Sequence, residues 1–539
     1  MTKRRNSPRR ISGSLSRRDV LRAGGLLLPA TVLTPALFTR VSRAASVAFD
    51  YYISTNGSDS NPGTLASPWA ITAINTKQSS YASKRLGILP GTYDVSVMMK
   101  NATYQGAVLQ IQGGTIATRT YVGACDASGN YSAGTATLDA KGSVGLYGGG
   151  NSVAPYIIGQ TNASVATGTG TQATALGNWT MDGLGFTGYA NWAVTLSGGV
   201  DSPGQIPNVT IQNCTLHDSV STATTTHPAP LMIYRASNVL VTNCWFYNNK
   251  NTAADNVHYA GIQIFDVGGP TTGVVIEKCT LENSSCICVG QDMDPIGVDN
   301  VTIRQCYFDM TSAGTNFNQY NALMGFMKTR PGMLADSVHH NIVKGGGLFD
   351  VYPTDQGDNA VAVYNNTWDM AGQAGNLGIR LEENVGYGSG QAGGTLFSVY
   401  NNLFYDNGST DNNYGYLCCN IDGFTVCDYN IYGTINRFYA YGVNGGAPTG
   451  TVTFTGWKTA TGKEAHSTTN SGNPFTNNGA RSLQYQISPG SPAYQTGRVG
   501  GLTAGAVCNV GAWDGIVTQI GYSSAGLIQP NPPILQSVS

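Results

Sequence analysis

Ionisable side chains are scarce in this chain, and a set of them recurs at one place in successive segments. Charged residues make up 11% of the 539. Arg235, Asp266, Gln291 with Asp292 and Asp294, Lys328 with Arg330, Asp350, and Glu382 with Glu383 nevertheless fall near the C-terminal ends of consecutive short apolar stretches. If those stretches stack as strands, neighbours lie about 4.8 Å apart. Asp266 and Asp292 can then share one cation, and Asp294 completes the oxygen set that Ca2+ prefers. Lys328, with Arg330 beside it, comes one stretch later, where surroundings can tune a basic group. A cation that stabilises enolate-like charge and a neutral Lys or Arg that takes a weakly acidic proton are what β-elimination of a uronate polymer requires. The bland alternative is a solvated polar edge held by ion pairs.

A second chemistry is open to the same region. Arg380 with Glu382 and Glu383 resembles the carboxylate pair and sugar-binding Arg of a hydrolase. Adjacent strand residues point opposite ways, so a carboxylate from another stretch, Asp350, has to complete the pair. Arg235, His258, Asp350, Arg380, Glu382 and Glu383 are therefore expected to bind substrate, with His227 in a similar position to His258. His339-His340 falls inside a repeated strand and is expected to be structural. Tyr234, Trp245, Phe265 and Tyr352 are either platforms for sugar rings or plain packing.

The elements that must position these residues come from an internal repeat. Ile211-Gln212-Asn213-Cys214-Thr215-Leu216 returns as Val241 to Phe246, Ile276 to Leu281 and Ile303 to Phe308. Val338 to Val343, Val363 to Trp368 and Val399 to Phe404 carry Asn341, Asn366 and Asn402 at the Cys place, and Met181 to Phe186 is a weaker copy. Alternating strands at a period of 25–36 residues predict a β-solenoid whose coils stack like residues into columns. Cys at the repeated place reads as a small, buried, reduced hydrophobe. Asn there, or one residue earlier, can ladder its amides at a turn. Each copy is followed by a polar stretch of variable length and then a second strand, such as Leu231 to Arg235 or Gly261 to Asp266. The variable stretches would wall a groove along these second strands, where a long polymer fits.

Composition agrees. Gly is 70 of 539 residues and apolar residues are 41%, which suits a β-rich core better than helices with charged faces. The formal charge of -1 argues against a nucleic-acid partner. It averages two unlike parts. The first 45 residues hold ten basic residues and one acidic one (Asp19), leaving 29 − 10 = 19 basic and 30 − 1 = 29 acidic, a net of -10. A basic head, the uncharged run Ala23 to Phe38 and the small Ala44-Ala45 describe an export signal. Ser16-Arg17-Arg18-Asp19-Val20-Leu21-Arg22 looks like the twin-arginine type, whose cargo crosses already folded. A periplasmic or extracellular location is expected, with no membrane contact once the signal is removed.

Tyr51-Tyr52-Ile53-Ser54-Thr55-Asn56-Gly57-Ser58-Asp59, Asn61-Pro62-Gly63-Thr64 and Ser67-Pro68-Trp69 resemble the entry segment of exported right-handed parallel β-helix proteins, the pectate-lyase-like group. Leu89-Pro90-Gly91-Thr92-Tyr93 is similar to their first-coil turn. Ser488 to Ala493 and Val510 to Gly515 are similar to their C-terminal end. The resemblance spans roughly residues 50–515 and implies an all-β, single-stranded right-handed parallel β-helix with an N-terminal cap. It implies polysaccharide as substrate, with calcium and a basic residue where the member is a lyase; it carries over no site residue. The expected organisation is an export signal over 1–45, a cap and first coil over 46–110, coils over 111–432, and a C-terminal β segment and tail over 433–539. The expected protein is a monomeric polysaccharide lyase. A hydrolase using the same groove and a non-catalytic carbohydrate-binding solenoid remain open. A disulfide is open for Cys125 or Cys508, while Cys286, Cys288, Cys418 and Cys419 read as packing.

Overall fold

The computed structural model describes residues 48–524, except 97, 99–106, 143–155, 162–176, 191, 198–204, 220–228, 250–260, 266–269, 285–286, 290–297, 310, 312–323, 326–335, 346–348, 352–359, 371–378, 382–395, 407–415, 421–423, 434–437, 442–450, 478 and 502. Among the described residues its strands form three sheets of twelve, each adding strands in chain order, and outside the solenoid a separate antiparallel pair, Gly497–Arg498 with Val507–Cys508. One coil runs Ile206–Gln212, Thr215–His217, Leu231–Tyr234, and the next begins at Ala236–Thr242. We call the three the long-strand, short-strand and loop-fed sheets. Coil-to-coil pairing is parallel throughout the solenoid; only Phe438–Tyr441 with Thr451–Val452, at its far end, is antiparallel.

The repeat motif is a corner rather than one strand. The long strand ends at Gln212, Asn213 takes a φ of 55°, and Thr215–His217 leaves in a new direction. The same left-handed residue recurs as Asn243, Lys278, Gln305, His340, Asn365 and Asn401. Asn tolerates this conformation because its short amide bonds locally. Two columns follow from the register. Ile211, Val241, Ile276, Ile303, Val338, Val363 and Val399 stack from the long-strand sheet, all fully or almost fully buried. Leu216, Phe246, Leu281, Phe308, Val343, Trp368 and Phe404 stack opposite them. Each such side chain contributes about 1.5–3 kcal/mol by leaving water, so a charge at any one would break its own coil and unseat two neighbours.

Between these columns lies the repeated Cys/Asn place, buried in every coil from Cys214 to Asn430. The asparagines form a directed chain. Asn341 Nδ2 donates to Asn366 Oδ1 at 3.0 Å, Asn366 to Asn402 at 3.1 Å, Asn402 to Asn430 at 3.1 Å, and Asn430 to Glu464 Oε2 at 3.3 Å. Asn430 belongs to a further copy of the motif, Cys427 to Tyr432, that the sequence pattern had not picked out. Glu464 is fully buried and also accepts from Tyr432 Oη at 2.6 Å, from Cys427 Sγ at 2.9 Å and from Ser467 Oγ. It closes the ladder beside the helix Phe454–Thr461, an element not anticipated in the β segment. That helix is capped by Thr453, whose side chain accepts from Gly456 N, and buries Trp457 against Phe438.

The entry segment is built around Trp69. Its Nε1 donates to Asn61 O at 2.8 Å and its ring stacks on Tyr51 at 4.5 Å. Gly63, at φ 80°, lies so close that a Cβ would meet the indole at 2.5 Å. At the other end the chain turns back. Residues Phe475, Tyr485, Ile487, Ala493, Val510, Ala512, Trp513 and Ile520 pack on Tyr307, Ile342, Leu403 and Ile431, the outward side of the short-strand sheet. Gly511 N donates to Asn401 O at 2.8 Å, Gly521 N to Gln305 O at 2.7 Å, and Ser523 N to Asn243 Oδ1 at 2.9 Å, so the segment retraces the coils. Trp245 lies under it, 5.7 Å from the Tyr522 ring with Arg481 over its face, and is packing, not a groove platform. Cys125 and Cys508 are both buried free thiols, which corrects the disulfide option left open for them.

Candidate functional site

The loop-fed sheet contains Leu231–Tyr234, Ile262–Phe265, Ile287–Val289, Met324–Gly325, Phe349–Val351, Ile379–Leu381 and Leu417–Asn420, in that order. These strands fall where the sequence places its second strands. Their pairing aligns one column: Thr195, Met232, Gln263, Cys288, Met324, Asp350, Arg380, Cys418 and Tyr439. On either side of it Leu231 and Ile233, Ile262 and Ile264, and Ile287 and Val289 enter the core. By strand alternation the column therefore belongs to the other face of the sheet.

That face is not inert where its side chains are described. Gln263 is fully buried, yet neither its Oε1 nor its Nε2 has a hydrogen-bond partner, and Thr195 Oγ1, two coils away, is in the same state. A buried polar atom without a partner costs about 1–3 kcal/mol, and native structures hold few of them. Sequence reasoning missed both residues; the amide in Ile262-Gln263-Ile264 marks the face opposite the two isoleucines but not its burial.

Asp350 and Arg380 are register partners on adjacent strands, and Met324 precedes Asp350 in the same column. The structure thus aligns two of the expected substrate-binding residues, one acidic and one basic. Arg235 sits apart from them. It occupies the corner after Tyr234 with φ 44°, is buried, and its carbonyl accepts from Ile206 N at 3.0 Å. Asp266, Asp292, Asp294, Lys328, Arg330, His258, Glu382 and Glu383 lie outside the described residues, as do His227 and Tyr352. The register brings their strands together: Ile264 pairs with Val289, and Val289 with Gly325. Among the described residues, no group of three or more His, Cys, Asp or Glu side chains could hold a metal ion.

Ionisable groups elsewhere are committed to structure. Asp182 is fully buried and accepts from Tyr121 Oη, Tyr131 Oη, Gln212 Nε2 and Asn213 Nδ2 at 2.6–2.7 Å; burial pushes its carboxyl up against those four donors. Glu277 and Arg304 pair on the long-strand sheet, with Nε to Oε2 at 2.8 Å. His339 stacks on Tyr364 at 4.6 Å and His340 Nε2 meets Asp514 Oδ2 at 2.9 Å, the structural roles expected of that pair.

No family model matches the chain, and no curated protein is similar to it in sequence. Solved structures similar in shape include the pectate lyase Pel9A, at 14% identity over 86% of this chain and 96% of that one, with a TM-score of 0.45. A rhamnogalacturonan lyase is similar at 17% identity over 67% and 83%, with a TM-score of 0.46. The A-module of Azotobacter vinelandii mannuronan C-5 epimerase AlgE4 follows at 12% over 78% and 98%, with a TM-score of 0.38. What decides the fold is the molecule's own three parallel sheets with sequential register. This chain is a right-handed parallel β-helix. Parallel crossovers take that hand almost without exception. In this β-helix the C-terminal segment takes the outer face of the short-strand sheet, while the loop-fed sheet receives connections of unequal length, long before Leu231–Tyr234 and Ile262–Phe265 and short before Ile287–Val289 and Phe349–Val351. Among the described residues no helix is long and apolar enough to cross a membrane.

Proposed function

We propose that this β-helix acts on an extracellular polysaccharide laid along the loop-fed sheet, and that it is a lyase for a uronate-containing polymer. The observation that carries the reading is the column itself. It aligns Asp350 with Arg380 on neighbouring coils and, three coils earlier, holds the buried unpartnered amide of Gln263. A repeating polymer meets a repeating surface there, with polar groups spaced by whole coils.

The chemistry assigns Lys328, with Arg330, to withdraw the C5 proton, and Arg380 and His258 to hold carboxylate and hydroxyl groups of flanking units. Asp350, Glu382 and Glu383 hold hydroxyls. Asp266, Asp292 and Asp294, which follow the paired strands Ile262–Phe265 and Ile287–Val289 in sequence, are all hard oxygen donors, a donor type that fits Ca2+; bound there, the ion would neutralise the substrate carboxylate. An overall charge of -10 without the leader repels an anionic chain, so local cation is needed to seat one. Export by the twin-arginine route belongs to the same proposal.

The test is a screen of pectate, alginate, glycosaminoglycans and neutral glucans, with and without a calcium chelator. A lyase yields new ultraviolet absorbance from the unsaturated product, lost on chelation and in Lys328→Ala. Reducing ends without that absorbance would replace the lyase by a hydrolase. Retention in an affinity gel without either product would replace the enzyme by a binder.

A further inference from the structure

Four cysteines, Cys214, Cys244, Cys279 and Cys306, occupy the corner place in four consecutive coils, and all four are fully buried and free. The next four coils put Asn341, Asn366, Asn402 and Asn430 there. Asn366 and the thiols of Cys244, Cys279 and Cys306 reach the same two carbonyls of their respective coils. Asn366 Nδ2 donates to the carbonyl two residues earlier, Tyr364 O, at 3.1 Å and to the preceding coil's Val338 O at 2.9 Å. Cys244 Sγ donates to Thr242 O at 3.4 Å and to the preceding coil's Ile211 O at 3.7 Å. Cys279 repeats this with Glu277 O and Val241 O at 3.3 and 3.8 Å, and Cys306 with Arg304 O and Ile276 O at 3.3 and 3.8 Å. The main chain keeps step: Thr280 N donates to Cys244 O and Leu403 N to Asn366 O, at 2.9 and 2.8 Å. The thiol hydrogen thus takes the part that the amide hydrogen takes further on.

A disulfide has no such hydrogen. Neighbouring corner places lie one coil apart, about 4.8 Å, within the Cα separation a disulfide can span. Oxidation there is geometrically open while the coils are still assembling, whereas in the finished coil the sulfurs are sealed from any oxidant. Cys214 and Cys306, three coils apart, are too distant to be joined in the fold at all.

We propose that this β-helix can be acquired only in a reducing environment: Cys214, Cys244, Cys279 and Cys306 have to enter the corner as thiols, and their oxidation before the coils stack blocks folding. The blocking reaction is exchange with a disulfide oxidant such as oxidised glutathione. Two ladder thiols lose two protons and two electrons, one intrachain S–S bond forms, and the oxidant's S–S bond is reduced to two thiols. The chain must therefore be folded before it meets an oxidising compartment. The inference is independent of the substrate.

Mass mapping of alkylated peptides should find the four ladder thiols unlabelled in the folded protein and labelled after unfolding. The protein unfolded in guanidinium should regain its β-sheet circular dichroism on dilution into dithiothreitol and lose most of that recovery in oxidised glutathione. The variant C125S/C286S/C288S/C418S/C419S/C427S/C508S, which keeps only the ladder thiols, should stay oxidant-sensitive. C214S/C244S/C279S/C306S, whose hydroxyls still donate, should refold equally in both buffers. A ladder disulfide in the native protein, or equal recovery of the wild type in both buffers, would overturn the proposal even if neither variant folds. Equal recovery of the ladder-only variant would overturn it as well.

Discussion

Replacing Asn366 by Leu and, separately, by Cys divides the two tasks of the corner side chain. Asn366 Oδ1 accepts from the Asn341 N–H at 3.1 Å and from Asn341 Nδ2 at 3.0 Å, and its Nδ2 donates to Val338 O, Tyr364 O and Asn402 Oδ1. Leu fills the same volume and does neither. It strands the two buried donors of Asn341 and withdraws the donor from two buried carbonyls, which at about 1–3 kcal/mol for each unmade partner and about 1 kcal/mol for each lost bond comes to about 4–8 kcal/mol. Cys restores the donor, as it does four coils in a row, and leaves the Asn341 N–H and one Asn341 Nδ2 hydrogen unmet, a cost of about 2–6 kcal/mol. The assay is equilibrium unfolding in urea under reducing conditions, followed by both circular dichroism and the fluorescence of the seven tryptophans, since a solenoid need not unfold in one step. N366L should unfold at clearly lower urea than N366C, with N366C between it and the wild type. Equal midpoints for the two variants would refute the claim that thiol and amide do the same work.

Three further outcomes follow from other parts of the molecule. Glu464→Gln turns one of two accepting oxygens into an amide facing other donors, so it should cost about 1–3 kcal/mol for each partner left unmade, and urea unfolding should report it first at the C-terminal coils; a shift under about 1 kcal/mol would mean that the ladder does not need both carboxyl oxygens. Burial pushes Asp514 up, but the hydrogen bond from His340 and the N–H groups of Ile516 and Val517 outweigh it and hold its carboxyl below the ordinary 3.8. A lowered carboxyl contributes stability that is complete above its unfolded value and lost as pH falls through the folded one, so hydrogen exchange in residues 509–517 should rise below pH 3.8 in the wild type and show no such pH step in Asp514→Asn. Arg380→Met and Asp350→Asn should each raise KM at least tenfold on the true substrate while leaving the unfolding midpoint unchanged; normal kinetics would remove the column from the site.

Columns were legible in the sequence because stacking makes like residues recur: Ile211, Val241 and Ile276 announce a coil without any knowledge of its path. The corner was not. Asn213, Lys278, Gln305 and His340 share a left-handed φ but no side-chain chemistry, so the motif read as one strand where the molecule has two. The register of Asp350 on Arg380 was hidden by loops whose unequal lengths spoil any count from coil to coil. Gln263 was hidden differently: an amide between isoleucines reads as a strand residue facing solvent, and its burial depends on what covers the sheet. The docking of the C-terminal segment is wholly long-range. Nothing local in Asp514 or Tyr485 points to His340 or to Asp369, whose Oδ2 accepts from Tyr485 Oη at 2.6 Å.

The division of labour among the three faces narrows where a polymer can act. The short-strand face is spent on the returning segment, whose bonds to Asn401, Gln305 and Asn243 fix it along the solenoid. The long-strand face spends its polar side chains on one another, through Glu277 with Arg304 and the stacked rings of His339, Tyr364 and Tyr400. A pair that already satisfies itself gains little by turning to a sugar, because each bond to the ligand has to replace one in hand. The loop-fed face differs in that respect. Gln263 and Thr195 carry the cost of unmade hydrogen bonds before any ligand arrives, so a partner that supplies them recovers free energy; Thr180 Oγ1 on the long-strand sheet is in the same state, but among the described residues Gln263 alone has two such side-chain atoms. This asymmetry favours the loop-fed face as the working one, whichever chemistry the polymer meets there.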